Sequence, residues 1–333
     1  MPRGPAAAPA LRTIGVVSAE IAIEVDGQYR ALKEEAGVLD RSERGKLRAR
    51  GPDAAEYLQG QLTNDIEALE PESGCYAALL DRKGHMQADM RVLRLSTGDL
   101  WLDTEAQATP AVERHLLMYS VGRDIEIEDV SGEWSVLSVI GPAAAEVAGT
   151  APAIGEHAQR LHERDGVEIL AVGTDLGLDL IVRAEQSREV RELLIRSGAA
   201  EVTEAAAEIL RVESGRPRFG HEMTSATIPQ EAGIDERAVS FTKGCYIGQE
   251  TVARLHYRGR PNRHLRGLRL EAPVADGDAI ALGEREVGTV GTAVLSPALG
   301  PIALAVVRRE AEPGSRVAVG DGGVGGDVIE LPF

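Results

Sequence analysis

The chain has 333 residues, with 36 lysines and arginines against 53 aspartates and glutamates, a formal net charge of −17. A surface this acidic repels nucleic-acid backbones unless a local basic patch intervenes, and 2 Trp, 6 Tyr and 3 Phe leave little aromatic area for stacking bases. Two cysteines, Cys75 and Cys245, exclude a disulfide-built scaffold and a four-thiolate metal site within one chain.

At roughly 100–200 residues per domain, the length predicts two domains and a smaller third part. Residues 1–12 are rich in Pro and Ala, and a disordered start is expected there. No stretch reads as a secretory leader or reaches about 18 apolar residues, so a soluble, cytoplasmic, monomeric protein without membrane contact is expected.

The spacing of Tyr29, Leu32 and Ala36 predicts a helix over Gln28–Val38, and Lys46–Arg50 alternates as a short strand. Pro52 and Asp53 open a helix whose apolar face is Ala54, Tyr57, Leu58 and Leu62. Cys75–Leu80 and Met86–Leu95 read as two strands joined by a turn at Asp81-Arg82-Lys83-Gly84. A helix is expected over Ala111–Met118, a half-buried strand over Asp124–Val130 and a buried one over Val136–Ile140. Strands at Val167–Val172 and Leu178–Val182 precede helices at Ser187–Arg196 and Ala205–Glu213. Strand–strand–helix twice over suggests a pseudo-repeat of small antiparallel α+β units, without the spacing of a Rossmann sheet or any phosphate-binding glycine loop. From Gly215 to Gly267 no period is evident, as in many functional segments. Beyond Arg266, Leu268–Leu270, Val287–Val294, Ile302–Val307 and Arg316–Val319 alternate with turn residues, which predicts a small β-barrel or sandwich, with Gly320–Gly326 as a loop or turn.

Three groups of residues are candidates for chemistry. The first is Lys243-Gly244-Cys245-Tyr246-Ile247-Gly248-Gln249-Glu250, where a lysine two positions before a cysteine favours its thiolate. The plain alternative is a buried, inert Cys245 and a Gly248 that starts a helix through Gln249–Tyr257. Cys75, at the start of an apolar strand, is expected to be buried. The second group is the basic run Lys243, Arg254, Arg258, Arg260, Arg263 and Arg266, opposed by Glu250 alone between residues 243 and 266. It suits a polyanionic tail or an acidic partner as well as a solvated linker, since guanidinium groups grip carboxylates and phosphates in pairs. The third is a set of acids at turns and strands: Asp89, Asp175, Asp179 and Glu231. The histidines follow no metal-ligand spacing, and no metal is expected.

Lys243–Glu250 resembles the K-G-C-Y-x-G-Q-E signature of the YgfZ-type folate-binding proteins, relatives of the glycine cleavage T-protein, a tetrahydrofolate-dependent aminomethyltransferase. Similar stretches cover most of the chain: Gly45–Ala55, Leu62-Thr63-Asn64-Asp65-Ile66, Leu210–Gly215 followed by Phe219-Gly220, and Pro229-Gln230-Glu231-Ala232-Gly233. The resemblance implies an α+β, T-protein-like, three-part fold. Two α+β subdomains, approximately 13–140 and 141–265, would surround a central folate pocket, and a C-terminal β-barrel, 266–333, would close on them. It implies tetrahydrofolate or a one-carbon derivative as cofactor. Asp89, Asp179, Arg211, Glu231, Tyr246 and Gln249 would bind it, Asp179 at the pterin edge, and Cys245 with Lys243 would carry the chemistry. The transferases commonly have two consecutive acids where this chain has Ala88-Asp89. The function implied is an accessory role in the assembly or repair of iron–sulfur clusters of client enzymes, including radical enzymes that modify tRNA, with no direct contact to nucleic acid. The alternatives are a tetrahydrofolate-dependent aminomethyl or one-carbon transferase, and a folate-binding module without thiol chemistry.

Overall fold

The computed structural model describes residues 19–151 and 155–333, so the expectation for residues 1–12 lies outside them. In chain order the elements are α1 (Ala19–Glu34), β1 (Gly37–Asp40), β2 (Gly45–Arg50), α2 (Ala54–Gln61), β3 (Ser73–Leu80), β4 (Met86–Arg94), β5 (Leu100–Thr104), α3 (Thr109–Tyr119), β6 (Glu126–Asp129), β7 (Trp134–Ile140) and α4 (Ala144–Ala148). There follow β8 (Gln159–Arg164), β9 (Val167–Gly173), β10 (Gly177–Arg183), α5 (Ser187–Arg196), β11 (Ala200–Glu201), α6 (Glu204–Glu213), α7 (Asp235–Ala238) and α8 (Gln249–Arg258). The last six strands are β12 (Arg263–Leu270), β13 (Ala279–Leu282), β14 (Arg285–Ser296), β15 (Gly300–Arg308), β16 (Arg316–Val319) and β17 (Val324–Ile329). Among the described residues no helix is long and apolar enough to cross a membrane.

The strands build two open sheets, ordered β3-β4-β5-β2-β6 and β11-β1-β7-β10-β9-β8, and one closed barrel, β12-β15-β14-β13-β16-β17. The α+β architecture with a C-terminal barrel is therefore present. The two subdomains do not divide at residue 140, because β1 and β7 both belong to the second sheet, paired to each other and to β10. Six strands, β1, β5, β8, β11, β13 and β17, escaped the sequence pattern, three of them for evident reasons. The apolar period of α1 runs on into Gly37 and hides β1; β5 is buried along its whole length and shows no alternation; and the glycines of β17 read as a turn although they pair with β12 and β16.

Each sheet packs one face on its own helices. Leu47, Ala88, Met90, Val92 and Leu102 bury against Tyr57, Leu58, Val112 and Leu116. Leu137, Val139, Leu178 and Leu180 bury against Val147, Val190 and Leu194. The other faces meet each other through Leu93, Trp101, Val136, Val172 and Ile181, and Trp101 meets Trp134 edge to face at 5.4 Å. The barrel leans on α6, where Val212 packs with Leu265, Ile302 and Leu304.

Candidate functional site

Period-two alternation along the strands gives the site its place. On the faces where the sheets meet, β4 runs Leu93–Arg91–Asp89, β5 runs Trp101–Asp103 and on to Glu105, β7 runs Val136–Ser138–Ile140 and β10 runs Ile181–Asp179. Each begins in the shared apolar layer, and all but β7, which reaches Ile140 through Ser138, end in charged groups. The charged ends diverge around a cavity of about 230 Å³. Helix α6 closes one side with Glu204, Ala207, Glu208 and Arg211, the i, i+3, i+4, i+7 face of a helix. A wider cleft of about 680 Å³ adjoins it through Ile140, Asp175 and Leu176, but its walls are mainly apolar. The titratable groups converge on the smaller cavity, which we take as the site.

Seven acids line that cavity: Asp89, Glu105, Glu156, Asp175, Asp179, Glu204 and Glu208. Six are held by arginine. Arg44 reaches Glu105 at 2.7 Å, Arg218 reaches Glu105, Glu204 and Glu208, Arg41 clasps Glu204, Arg216 holds Asp175, Arg237 holds Glu156 and Arg91 holds Asp179 at 2.6 Å. Beneath them Asp103, its side chain 1% exposed, joins Arg44 and Arg91. Burial pushes its carboxyl up, but the two guanidinium groups outweigh burial and hold it at about 2. Asp89 is the exception. Among the described residues no arginine or lysine pairs with it; it accepts the Tyr76 hydroxyl at 2.6 Å, and burial raises its pKa above the usual carboxylate range against that hydrogen bond. His157, on a backbone with φ of 66°, adds an imidazole that burial, then Arg91, lower to about 4. It is neutral at pH 7, and its Nδ1 is buried without a partner among the described residues.

The structure brings together three of the residues expected to bind a cofactor, Asp89, Asp179 and Arg211, and sets two of these in other work. Asp179 already accepts the Ser138 hydroxyl on Oδ1 at 2.5 Å and pairs with Arg91 through Oδ2, so its charge is compensated within the protein. Arg211 spends all five of its N–H donors on Glu208, Glu222, Thr292 and the carbonyl of Arg216. It ties α6 to the barrel and has nothing left to offer a ligand. Glu231, Tyr246 and Gln249 lie apart from the cavity. Glu231 is buried against Arg263 of β12, Tyr246 lies in the core beside Val252 and Met223, and Gln249 opens α8. Ala88, where a second acid was expected in a transferase, points into the core of the first sheet. Its side chain would not reach the cavity whatever it carried.

Lys243 does not activate Cys245. Its ammonium donates to the carbonyl oxygens of Gln59, Leu62 and Asn64 at 2.6, 2.8 and 2.7 Å, around the C-terminal end of α2, where a helix leaves carbonyls unpaired and favours a cation. Burial lowers it to about 8, and the nearby thiol that adds to its charge balance is Cys75. The expected burial of Cys75 is partial, and desolvation pushes its thiol up to about 12, whereas Cys245 is exposed. Gly248 has φ of 85°, and a Cβ there would come within 2.5 Å of the Asp81 carbonyl, so the glycine lets α8 start against the β3–β4 hairpin. Cys245 is therefore expected to react with iodoacetamide at pH 8 well before Cys75, as read by peptide mass. Equal or reversed labelling would contradict these environments.

The sequence reading missed Tyr76, Arg91, Asp103, Glu105, His157 and Arg218, because the site draws single residues from many segments and no local spacing joins them. The only signal was the alternation of β4, which puts Arg91 on the face of Asp89.

Two sheets around a charged cavity with a barrel packed on the closing helix is a T-protein-like architecture, and the chain belongs to the glycine cleavage T-protein family. Residues 18–243 match the GCVT N-terminal domain and residues 263–333 the glycine cleavage T-protein C-terminal barrel domain. The aminomethyltransferase of Rubrobacter xylanophilus is 30% identical over 321 residues, covering 93% of this chain and 86% of the relative. That of Exiguobacterium sibiricum is 31% identical over 296 residues, 85% and 81% of the two. The fold matches the crystal structure of the aminomethyltransferase T of the Bartonella henselae glycine cleavage system with a TM-score of 0.84 at 22% identity, over 93% of this chain and 89% of the other.

Proposed function

We propose that the cavity between the sheets binds tetrahydrofolate or a one-carbon derivative, and that the protein is a folate-dependent one-carbon transferase in which Asp89 handles the proton. The observation that carries this reading is the pairing pattern: six of the seven lining acids are neutralised by arginine, and the seventh, Asp89, is half-buried, without an arginine or lysine partner among the described residues and raised in pKa. The curated relatives named above are aminomethyltransferases, which supports the choice of reaction.

The residues present suit a reduced folate. A flat heterocycle rich in N–H donors and ring acceptors complements an unpaired carboxyl, a neutral imidazole with a buried Nδ1 lacking a partner, and a tyrosine hydroxyl. Asp89, Tyr76 and His157 would hold it. Such a cofactor supplies the amine nitrogen that takes up the one-carbon unit. The protein's part is to keep Asp89 dry and oriented by Tyr76, so that it can take a proton from, or return it to, a nitrogen beside it. Thr104 fixes the same strand by donating its hydroxyl to the Asp89 carbonyl at 2.6 Å. The arginine lattice fixes the walls at no cost in net charge.

Calorimetry with tetrahydrofolate is expected to give one site per chain, and addition of an aminomethylated donor to release ammonia in a folate-dependent way. Absence of folate binding would remove the whole reading. Binding without turnover would favour the second one, an accessory protein of the YgfZ type in iron–sulfur cluster maintenance. One observation favours that second reading: Cys245 of the octapeptide is exposed on the outside of the molecule and takes no part in the cavity.

A further inference from the structure

The basic run after residue 243 is only partly used by the fold. Lys243 is buried against backbone carbonyls and Arg263 pairs with Glu231, while Arg266 donates to the carbonyl of Leu265. Arg254, Arg258 and Arg260 are exposed and have no ion pair among the described residues, in a molecule where most arginines have one. The tip of the β3–β4 hairpin packs on the start of α8, since a Cβ on Gly84 would touch Thr251, and it adds Arg82 and Lys83, also exposed and without an acid partner among the described residues. Five cations thus share one face with Asp81 and Glu250. Asp81 is occupied by the backbone N–H groups of Lys83 and His85 and by the His85 ring.

Beside this face α8 exposes Tyr257, while on the opposite side of the helix His256 stacks on Phe241, which packs on the core. Phe241 lies against the His256 ring at 3.6 Å and 14°, His256 meets Tyr257 edge to face at 4.8 Å, and Tyr257 is 66% exposed. Arg254 and Arg258 are one turn apart on α8 with Tyr257 beside them, a strip of about 15 Å along the ten-residue helix. Arginine and tyrosine are the side chains that dominate binding at protein interfaces.

We propose that this face of α8, with the hairpin tip, is a docking surface for an acidic segment of a partner protein. Charge complementarity selects the occupant. A local excess of cations on a chain of net −17 attracts carboxylates at short range, while the chain as a whole repels the long polyanion of a nucleic acid. Guanidinium forks bind carboxylates two bonds at a time, and Tyr257 offers an apolar anchor between them. The surface is independent of the cavity, whose lining shares none of these residues.

The test uses the full chain and a fluorescein-labelled α-linked polyglutamate peptide of about 20 residues, read by anisotropy. Saturable binding is expected at about 50 mM salt, weakening roughly tenfold or more by about 200 mM, because exposed charges are screened over about 8–10 Å. Arg254→Glu with Arg258→Glu and Arg260→Glu should weaken it by about tenfold or more, while Arg196→Glu, on the exposed side of α5, changes it by less than about twofold. Should the triple variant lose its circular dichroism, Arg254→Gln with Arg258→Gln carries the same comparison with a loss of about threefold. No binding by the parent protein, or undiminished binding by the folded variants, overturns the proposal. Equal affinity for an oligothymidylate of the same length makes the face a phosphate surface, and equal affinity for a tetra-γ-glutamate makes it a folate-tail site; either result also overturns it.

Discussion

Arg211→Ala is expected to destabilise the protein by about 3–5 kcal/mol, the range for breaking a buried ion pair from one side. The reason lies in what stays behind. The Glu222 side chain is 0% exposed, and its Oε2 has Arg211 at 3.0 Å and the Arg218 N–H at 2.9 Å, while Oε1 has no partner. Removing the guanidinium leaves a buried carboxylate with a single N–H, and it also cuts the link from α6 to Thr292 on the barrel. A thermal melt should fall by on the order of 10 °C. Glu222→Gln added to Arg211→Ala should recover part of the loss, since it removes the stranded charge, and the double-mutant cycle should give a coupling of about 1–3 kcal/mol. Tetrahydrofolate affinity of the folded variant should stay within about threefold, under 1 kcal/mol. A melt at the parent temperature would contradict the structural role. A normal melt with folate affinity lost would return Arg211 to the list of ligand contacts.

This prediction reverses what the sequence alone suggested for Arg211, and the reversal shows what a sequence can disclose here. Local patterns carried the elements well where period and punctuation agree. The β3–β4 hairpin with its turn at Gly84, the helix after Pro52 and the strand around Ile302–Val307 all lie where alternation and glycine placed them. The patterns failed where an element is set by its neighbours: β1 is a strand because β7 and β11 accept it, not because Gly37–Asp40 has a period. The site failed for the same reason on a larger scale. A carboxylate's role depends on whether an arginine from another segment reaches it, and nothing around Asp179 in the sequence foretells Arg91, 88 positions earlier. The octapeptide shows the converse. Its residues are recognisable in sequence, yet Lys243 caps α2, Tyr246 fills a core, Gly248 admits α8 and Cys245 faces outward. A motif can be specific to a family and still be divided among structural tasks.

Asp89→Asn is expected to separate catalysis from stability. The substitution keeps the size and leaves an oxygen for the Tyr76 hydroxyl, but it removes the group that exchanges a proton. Folate-dependent release of ammonia from an aminomethylated donor should fall by about 10²–10⁴-fold, the usual worth of a positioned acid or base. Stability should not fall with it. Burial raises the pKa of Asp89 in the folded state, so between the unfolded and folded values the native protein holds more protons than the unfolded chain. Stability contributed by the protonated form is therefore lost as pH rises through that window, and at pH 7 an ionised Asp89 is a cost that asparagine does not carry. The melt of the variant should match the parent at pH 7 or exceed it. The parent's rate should rise with pH along a limb centred above the ordinary aspartate value of about 3.9, and the variant should lack that limb. Asp103 supplies the contrast within the same cavity: two arginines hold its carboxyl at about 2, so its charge contributes stability above the unfolded value that is lost only as pH falls toward 2. An unchanged rate in Asp89→Asn, with folate bound, would show that the one unpaired acid of the cavity does not handle the proton. A rate lost together with the melt would show that the arginine lattice depends on Asp89, a dependence that its lack of any arginine partner argues against.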